Sequence, residues 1–275
     1  MYLLFSLASV FSTSLGTFLT RSLITKLPAF QIIGPLFFLN SLGAIPIALV
    51  ARNWVVPDLN QILGLVAAGI FTAIGAILLF SIVERAPAST SIVGASLSPA
   101  IILLLAPGFL NQGFSLTRFL LVAALILATL FPIRKSVLGI SSISTIMMML
   151  AQGVNAGVLA ILITTLSRSE LVISEVLLVQ QVVAGLVCVA LFPIKDVPLS
   201  SLPILAHRAL YMSLGWILYT LALKRGETLI VQSVLSLIPM TILLMETVRY
   251  KRKPPKEAVF SALLVIVCIS SLVLV

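Results

Sequence analysis

The sequence predicts an all-α integral membrane protein: ten transmembrane helices, arranged as two inverted five-helix repeats around a central cavity. Three observations predict it. The first is composition: 60% of the 275 residues are hydrophobic and 9% are charged, with a mean hydropathy of +1.24. A soluble domain carries about 25% charged residues, and a soluble core of this size would leave its surplus apolar surface in water. The same composition excludes a disordered chain, which is poor in apolar residues. The second observation is a series of long apolar runs with short charged breaks, and the third is an internal match.

A spanning helix needs about 20 mostly apolar residues. By that measure spans fall near 2–20, 28–50, 59–82, 87–109, 116–133, 141–166, 171–192, 203–223, 228–248 and 257–275. The breaks carry charge or turn formers: Arg21 to Lys26, Arg52 to Asp58, Glu84-Arg85, Asn111 to Gly113, Arg134-Lys135, Arg168 to Glu170, Lys195 to Pro198, Lys224 to Glu227 and Arg249 to Lys256. The first run lacks the basic start and small-residue cleavage site of a signal peptide. No break is long enough for a folded extramembrane domain, so activity is expected within the bilayer.

Sliding the chain on itself by 140 residues gives the third observation. Arg85 meets Arg225, Ser96-Leu97-x-Pro99 meets Ser236-Leu237-x-Pro239, and 102–104 meets 242–244, seven identities over the twenty positions 85–104. Asn40 meets Gln180, Phe71 meets Tyr211 and Gly75 meets Gly215 at the same offset. Five spans lie within it, an odd number, so equivalent helices enter the membrane from opposite sides. The division predicted is 1–135 and 136–275, two repeats in one membrane domain. Inverted repeats serve alternating access, with a site near the midplane. Pro99 and Pro239 fall inside the fourth and ninth spans, where each removes a helix hydrogen bond and kinks the helix around the cavity. Nearby Ser hydroxyls can satisfy the freed carbonyls.

Net charge is +9, but the basic residues flank apolar runs, as loops beside spans do; nucleic acid is not expected as a partner. Cys188 and Cys268 sit inside spans, and with a single His the inventory offers no metal site, disulfide framework or cofactor. A membrane enzyme acting on lipids would need clustered His or carboxylates, which the chain lacks. A subunit that binds without moving solute is a further alternative.

The segment FSIVERAPASTSIVGASLSPAIILLL (80–105) and its counterpart YTLALKRGETLIVQSVLSLIPMTILLM (219–245) resemble the drug/metabolite transporter superfamily, EamA-like branch. The resemblance implies ten helices around a cavity and movement of small metabolites, often outward. The chain departs from the family where a Gly-Glu pair often follows each proline, reading Gln112-Gly113 and Arg252-Lys253. Asn40 stands in the second helix, where the family often has Arg. The small multidrug relatives use a Glu in the first helix; here that helix has Ser6, Ser9, Ser12, Thr13, Ser14 and Thr17 and no carboxylate.

Polar groups deep in lipid are costly and mark functional candidates. The substrate-binding candidates are Asn40, Gln180, Gln181, Gln152, Asn155, Tyr211, Trp216, Tyr219, Gln232 and Arg208. The amides offer donors and acceptors to zwitterionic or polyhydroxylated solutes, or act as glue between helices. Tyr and Trp offer apolar walls with a polar handle. Arg208 can grip a carboxylate or phosphate or snorkel to headgroups, and His207 can titrate near neutrality. Glu84, Glu175, Glu246, Asp196 and Glu257 lie near span ends, so facilitated diffusion or loosely coupled antiport is expected over a carboxylate-driven pump.

The expected function is a secondary transporter, an exporter of small polar metabolites such as amino acids. Drug efflux or flipping of a lipid-linked substrate is the alternative on the same fold. The partners are a small-molecule solute and the bilayer, with room for a homodimer. The location is the plasma or inner membrane, crossed many times. Twelve Lys and Arg lie in odd-numbered connections and five in even-numbered ones, which puts both termini outside; the family resemblance puts both inside.

Overall fold

The structure is a computed structural model that describes residues 1–24, 27–46, 49, 55–85, 94–110, 115–131, 143–193, 198–249, 251 and 256–275. Lys26, Arg52, Asn111, Gln112, Gly113, Arg134, Lys135, Lys195, Asp196, Arg252 and Lys253, cited above, lie outside the described residues.

Every regular element among the described residues is helical. They are α1 (Tyr2–Ile24), α2 (Ala29–Leu42), α3 (Leu59–Val83), α4 (Ser98–Phe109), α5 (Leu116–Leu130), α6 (Ile143–Arg168), α7 (Ile173–Leu191), α8 (Leu202–Arg225), α9 (Thr228–Leu235), α10 (Ile238–Arg249) and α11 (Lys256–Leu274). A 3₁₀ turn, Gly94–Leu97, leads into α4. With α9 and α10 taken together, they form ten helical runs, one in each predicted span. Five are long and apolar enough to cross a membrane: Tyr2–Ile24, Leu59–Val83, Ile143–Arg168, Ile173–Leu191 and Thr228–Arg249. Four apolar runs are shorter, and α8 has the length but carries His207, Arg208, Lys224 and Arg225.

The packing is that of a protein dissolved in lipid. Leu4, Leu63, Leu127, Leu210 and Phe260 point outward, while Ser6, Ser9, Asn40, Gln152, Asn155 and Gln180 are buried. The bilayer core gives apolar side chains no reason to turn inward, so helices associate through close packing and hydrogen bonds. Small residues set the closest approach: Ser9 Oγ donates to Gly215 O at 2.8 Å, and a Cβ on Gly215 would stand 2.6 Å from Thr13 Oγ1. That holds α1 against α8.

Contacts at the helix ends fix the two faces. Gly226 packs on Tyr2, Arg118 pairs with Glu227, and Val55 N donates to Glu175 Oε1 at 2.6 Å. These lie at one end, with the start of α1. Phe30 meets Phe192 at 4.8 Å and Arg85 Nη1 reaches Ser144 Oγ at 3.4 Å at the other.

The two prolines do not sit within continuous helices. The ninth span is broken between Thr228–Leu235 and Ile238–Arg249, and in the fourth α4 begins at Ser98 directly after the 3₁₀ turn, so each helix starts one residue before its proline. A proline in the first turn sacrifices no hydrogen bond within its own helix, so the break is the low-cost arrangement. Ser98 Oγ donates to Ala95 O at 2.6 Å, serving the carbonyl that a residue with an N–H at position 99 would have bonded.

Candidate functional site

A cavity of about 170 Å³ lies between α2, α3, α6 and α8, with Ala95 of the 3₁₀ turn at its edge. Most of its wall is apolar, including Ile33, Leu36, Phe37, Leu79, Phe80 and Leu159. Its polar members are Asn40, Thr72, Gln152, Asn155, Arg208 and the indole of Trp216. Few polar groups in an apolar wall is the usual composition of a small-molecule site.

Five of the ten candidates therefore meet at one cavity: Asn40, Gln152, Asn155, Arg208 and Trp216. Gln152 and Asn155 come from successive turns of α6, three residues apart on one face. Asn155 Nδ2 donates to Phe71 O at 3.0 Å, while its Oδ1 and Gln152 Oε1 have no hydrogen-bond partner among the described residues. Asn40 lies 3.3 Å from Gln181 across amide atoms whose N and O are interchangeable by appearance. Turned so that its Nδ2 donates to Leu36 O at 3.1 Å and Ala209 O at 3.3 Å, it presents oxygen to Gln181. A matching turn of Gln181 then supplies the partner that its Nε2 otherwise lacks.

Arg208 does not snorkel. Its side chain is 5% exposed, Nε donates to Thr20 Oγ1 at 2.9 Å, and the guanidinium lies 5.7 Å from the Phe80 ring centre. A cation over an aromatic face is attracted by the ring quadrupole. His207, one residue earlier, is exposed and shares a hydrogen bond with Pro203 O at 2.7 Å, so it faces away from the cavity.

The other candidates lie elsewhere. Gln180 is fully buried and donates to Thr72 Oγ1 at 2.7 Å, tying α7 to α3. Tyr219 donates to Gln232 Oε1 at 3.0 Å, and Gln232 Nε2 donates to Ser98 Oγ at 2.8 Å. That chain of bonds links α8, α9 and the restart of α4. Tyr219 also packs edge-on against Trp216 at 5.6 Å, bracing a cavity wall from behind. Gln181 borders a small void with Asn40 and Ser213. Tyr211 is half-buried and outside the cavity lining. Thr72, Phe80 and Thr20 shape the site without having been singled out in the sequence. Thr and Phe are common in spans, and nothing in their spacing marks them.

The end that holds the start of α1 is tied below the cavity. Thr164 and Thr228 share a hydrogen bond at 3.0 Å, Arg168 bonds the carbonyls of Leu223 and Gly226, and Arg118 pairs with Glu227. Glu175, buried, is spent on Val55 N and on Val172 N at 3.0 Å. It serves as a helix cap.

Residues 1–134 match the model of the EamA-like transporter family. Over those residues, just under half of the chain, it is similar to the EamA-like family. The family lies within the drug/metabolite transporter superfamily, as the two quoted segments suggested. A solved crystal structure of a protein is 16% identical to this chain, with a TM-score of 0.78. The likeness covers 99% of this chain and 96% of that one, and it carries the fold alone. No curated protein matches. An EamA-like chain is a multi-pass membrane protein of a transporter family, whose partners are a small-molecule solute and the bilayer.

Proposed function

We propose that this chain is a secondary transporter that exports small polar metabolites, amino acids among them, by alternating access of two inverted halves, 1–135 and 136–275. The observation that carries the reading is the cavity itself. It lies between α2 and α3 of one half and α6 and α8 of the other, with polar groups from both.

Two further features support it. The helices that carry the two prolines begin at the offset of the sequence match, Ser98 and Ile238. The halves also pack reciprocally: α1 against α8 and α3 against α6, with α2 against α7 between them. Rocking of one half against the other would release the ties around Arg118 and Arg168 and open the cavity to that side. Solute would then pass without a continuous pore. Asn40, Gln152, Asn155, Arg208 and Trp216 would touch it.

A second reading, efflux of a hydrophobic or lipid-linked compound, is favoured by one observation. A groove of about 430 Å³ lined by apolar residues, Leu7, Phe11, Met240, Leu244, Val259 and Leu263 among them, lies between α1, α10 and α11. Metabolite profiling of medium and cytosol from expressing cells separates the two. An Asn40→Ala/Asn155→Ala variant at equal expression is the control. Enrichment of one polar class outside, lost in the variant, is expected; unchanged soluble metabolites would move the reading to hydrophobic cargo.

A further inference from the structure

Helices α10 and α11 follow one another in the chain but pack elsewhere: α10 lies against α1, and α11 against α5. The gap between them is the apolar groove of about 430 Å³. Val10 and Met240 form its buried floor, and Phe11, Leu244, Val259 and Leu263 are its exposed walls. Thr241 is its one polar member and spends its hydroxyl on Leu237 O at 3.0 Å. The groove therefore offers a polar solute nothing. On α10 its lining runs from Leu237 to Leu244, and five more residues reach Arg249, about 18 Å in all. Half of the hydrocarbon core is about 15 Å, so the groove and its approach match the depth of one leaflet.

The connection above the groove is basic. From Arg249 to Lys256 it carries five basic residues in eight, Arg249, Lys251, Arg252, Lys253 and Lys256, and no acid. Arg249, Lys251 and Lys256, the three described, are exposed. Glu246 and Glu257 flank the connection and leave it net positive. Val259 lies within one turn of Lys256, so the apolar wall begins where the charge ends. The first repeat supplies an internal comparison. Its equivalent connection, 109–116, reads FLNQGFSL and carries no charge, and α4 packs directly on α5. In the second copy the helices part and the connection is basic; in the first they pack together and it is neutral. Loop charge that served orientation alone would not need the helices to part.

We infer that this groove binds one anionic diacyl phospholipid as a resident component of the fold. One acyl chain lies against Val10 and Met240, where it touches helix on three sides and gains close packing. The phosphate lies beside Arg249, Lys251 and Lys256. A cluster of basic residues at the end of a spanning helix is the charge pattern that attracts such headgroups. A second copy of the chain is a poor occupant, because a two-fold contact along the membrane normal would set the same basic connection against itself. The site does not depend on which solute the central cavity carries, and it makes the groove a place of residence, not a path for cargo.

The test is native mass spectrometry of the purified full chain given equal amounts of dioleoylphosphatidylglycerol and dioleoylphosphatidylcholine. One phosphatidylglycerol per chain is expected, preferred by about tenfold or more, since each basic residue beside a membrane strengthens attraction for anionic lipid about fivefold. Lys251→Gln/Lys256→Gln should remove most of that preference. Ala262 is half-buried in the groove; Ala262→Trp fills the space and should lower binding of both lipids, and Ala262→Leu stands in should it fail to fold. Leu127→Trp, at an exposed position outside the groove, should change neither. Equal binding of the two lipids, an unchanged preference in the double lysine variant, or unchanged binding in the folded Ala262 variants overturns the inference. Displacement of the lipid by inorganic phosphate alone would also overturn it, by assigning a free-anion site. A disulfide-linked dimer of Leu263→Cys in liposomes would put a second copy in the groove, with the same result. Faster exchange of labelled phosphatidylglycerol between leaflets in the presence of the chain would make the groove a cargo path and overturn it too. Solute export by a chain that retains no lipid would overturn it and leave the transport reading standing.

Discussion

Asn40 and Gln180, 140 residues apart in the chain, each fasten their helix to one distant in sequence. Gln180 Nε2 donates to Thr72 Oγ1 at 2.7 Å, and the Asn40 carbonyl accepts from Ser213 Oγ at 2.8 Å. Adding the offset to Thr72 gives 212, one residue short of Ser213. Their roles nevertheless divide. Asn40 lines the cavity, and Gln180 stands outside its lining.

Gln180 is accordingly expected to act through stability. Removing a hydrogen bond between spanning helices costs about 0.6 kcal/mol on average and up to about 1.7. Gln180→Leu should lie near the upper figure, because Thr72 loses its tie to α7. The KM for any transported solute should hold within twofold. Thermal unfolding in detergent beside counterflow kinetics checks both; a large change in KM with unchanged stability would return Gln180 to the solute site.

Ser98 performs two tasks, donating to Ala95 O and accepting from Gln232 Nε2. Ser98→Ala leaves a buried carbonyl and a buried amide unserved, at about 1–3 kcal/mol. Adding Pro99→Ala restores a backbone N–H that can bond Ala95 O. The double variant should therefore recover part of the loss. Denaturation of the single and double variants decides it, and a double variant less stable than Ser98→Ala would show that the break serves another purpose.

Close approach of α1 and α8 depends on Gly215. A side chain there meets Thr13 Oγ1 at 2.6 Å from its first carbon, and no flexible tip is available to yield. Gly215→Val should cost about 1–3 kcal/mol through overpacking and lower the melting temperature. Pairing it with Thr13→Ala, which opens the space, should restore some of that loss.

The Arg118–Glu227 pair is about one-fifth exposed on each side chain. Pairs of that kind contribute about 0.2–1 kcal/mol, and 1 kcal/mol is about a fivefold shift in population. Glu227→Gln should raise access to the cavity from that end by up to about fivefold. The rate of thiol labelling at Ala156→Cys from that side measures it, in a background where Cys188 and Cys268 are already buried. An unchanged rate would assign closure to the Thr164–Thr228 and Arg168 contacts instead.

Charge bias and family resemblance disagree on orientation, and a C-terminal reporter separates them. With Arg208 set aside as buried within α8, the bias of Lys and Arg is eleven to five and predicts a reporter active outside the cell.

The runs were legible in the sequence because the bilayer imposes their length. Span 59–82 is helix Leu59–Val83, and 203–223 is Leu202–Arg225. The sequence predicts kinks at Pro99 and Pro239, whereas each proline lies in the first turn of a helix, since a proline in an apolar run does not reveal whether the helix bends or begins there. The site was partly legible. Polar residues inside spans could be found by type, but their facing could not, because an apolar residue suits both lipid and core and leaves the helix face unmarked. Hence Gln180 and Asn155 looked alike in sequence, although one joins two helices and the other lines the cavity.

The helices that restart at Ser98 and Ile238 have twelve residues each, about 18 Å at 1.5 Å per residue. The hydrocarbon core is about 30 Å thick. Neither piece can cross it alone, and in the ninth run the helix is a jointed rod, Thr228–Leu235 before the joint and Ile238–Arg249 after it. A joint at mid-depth lets one segment swing while its other segment stays seated in the bundle. Stiffening that joint should slow motion without disturbing what the cavity holds.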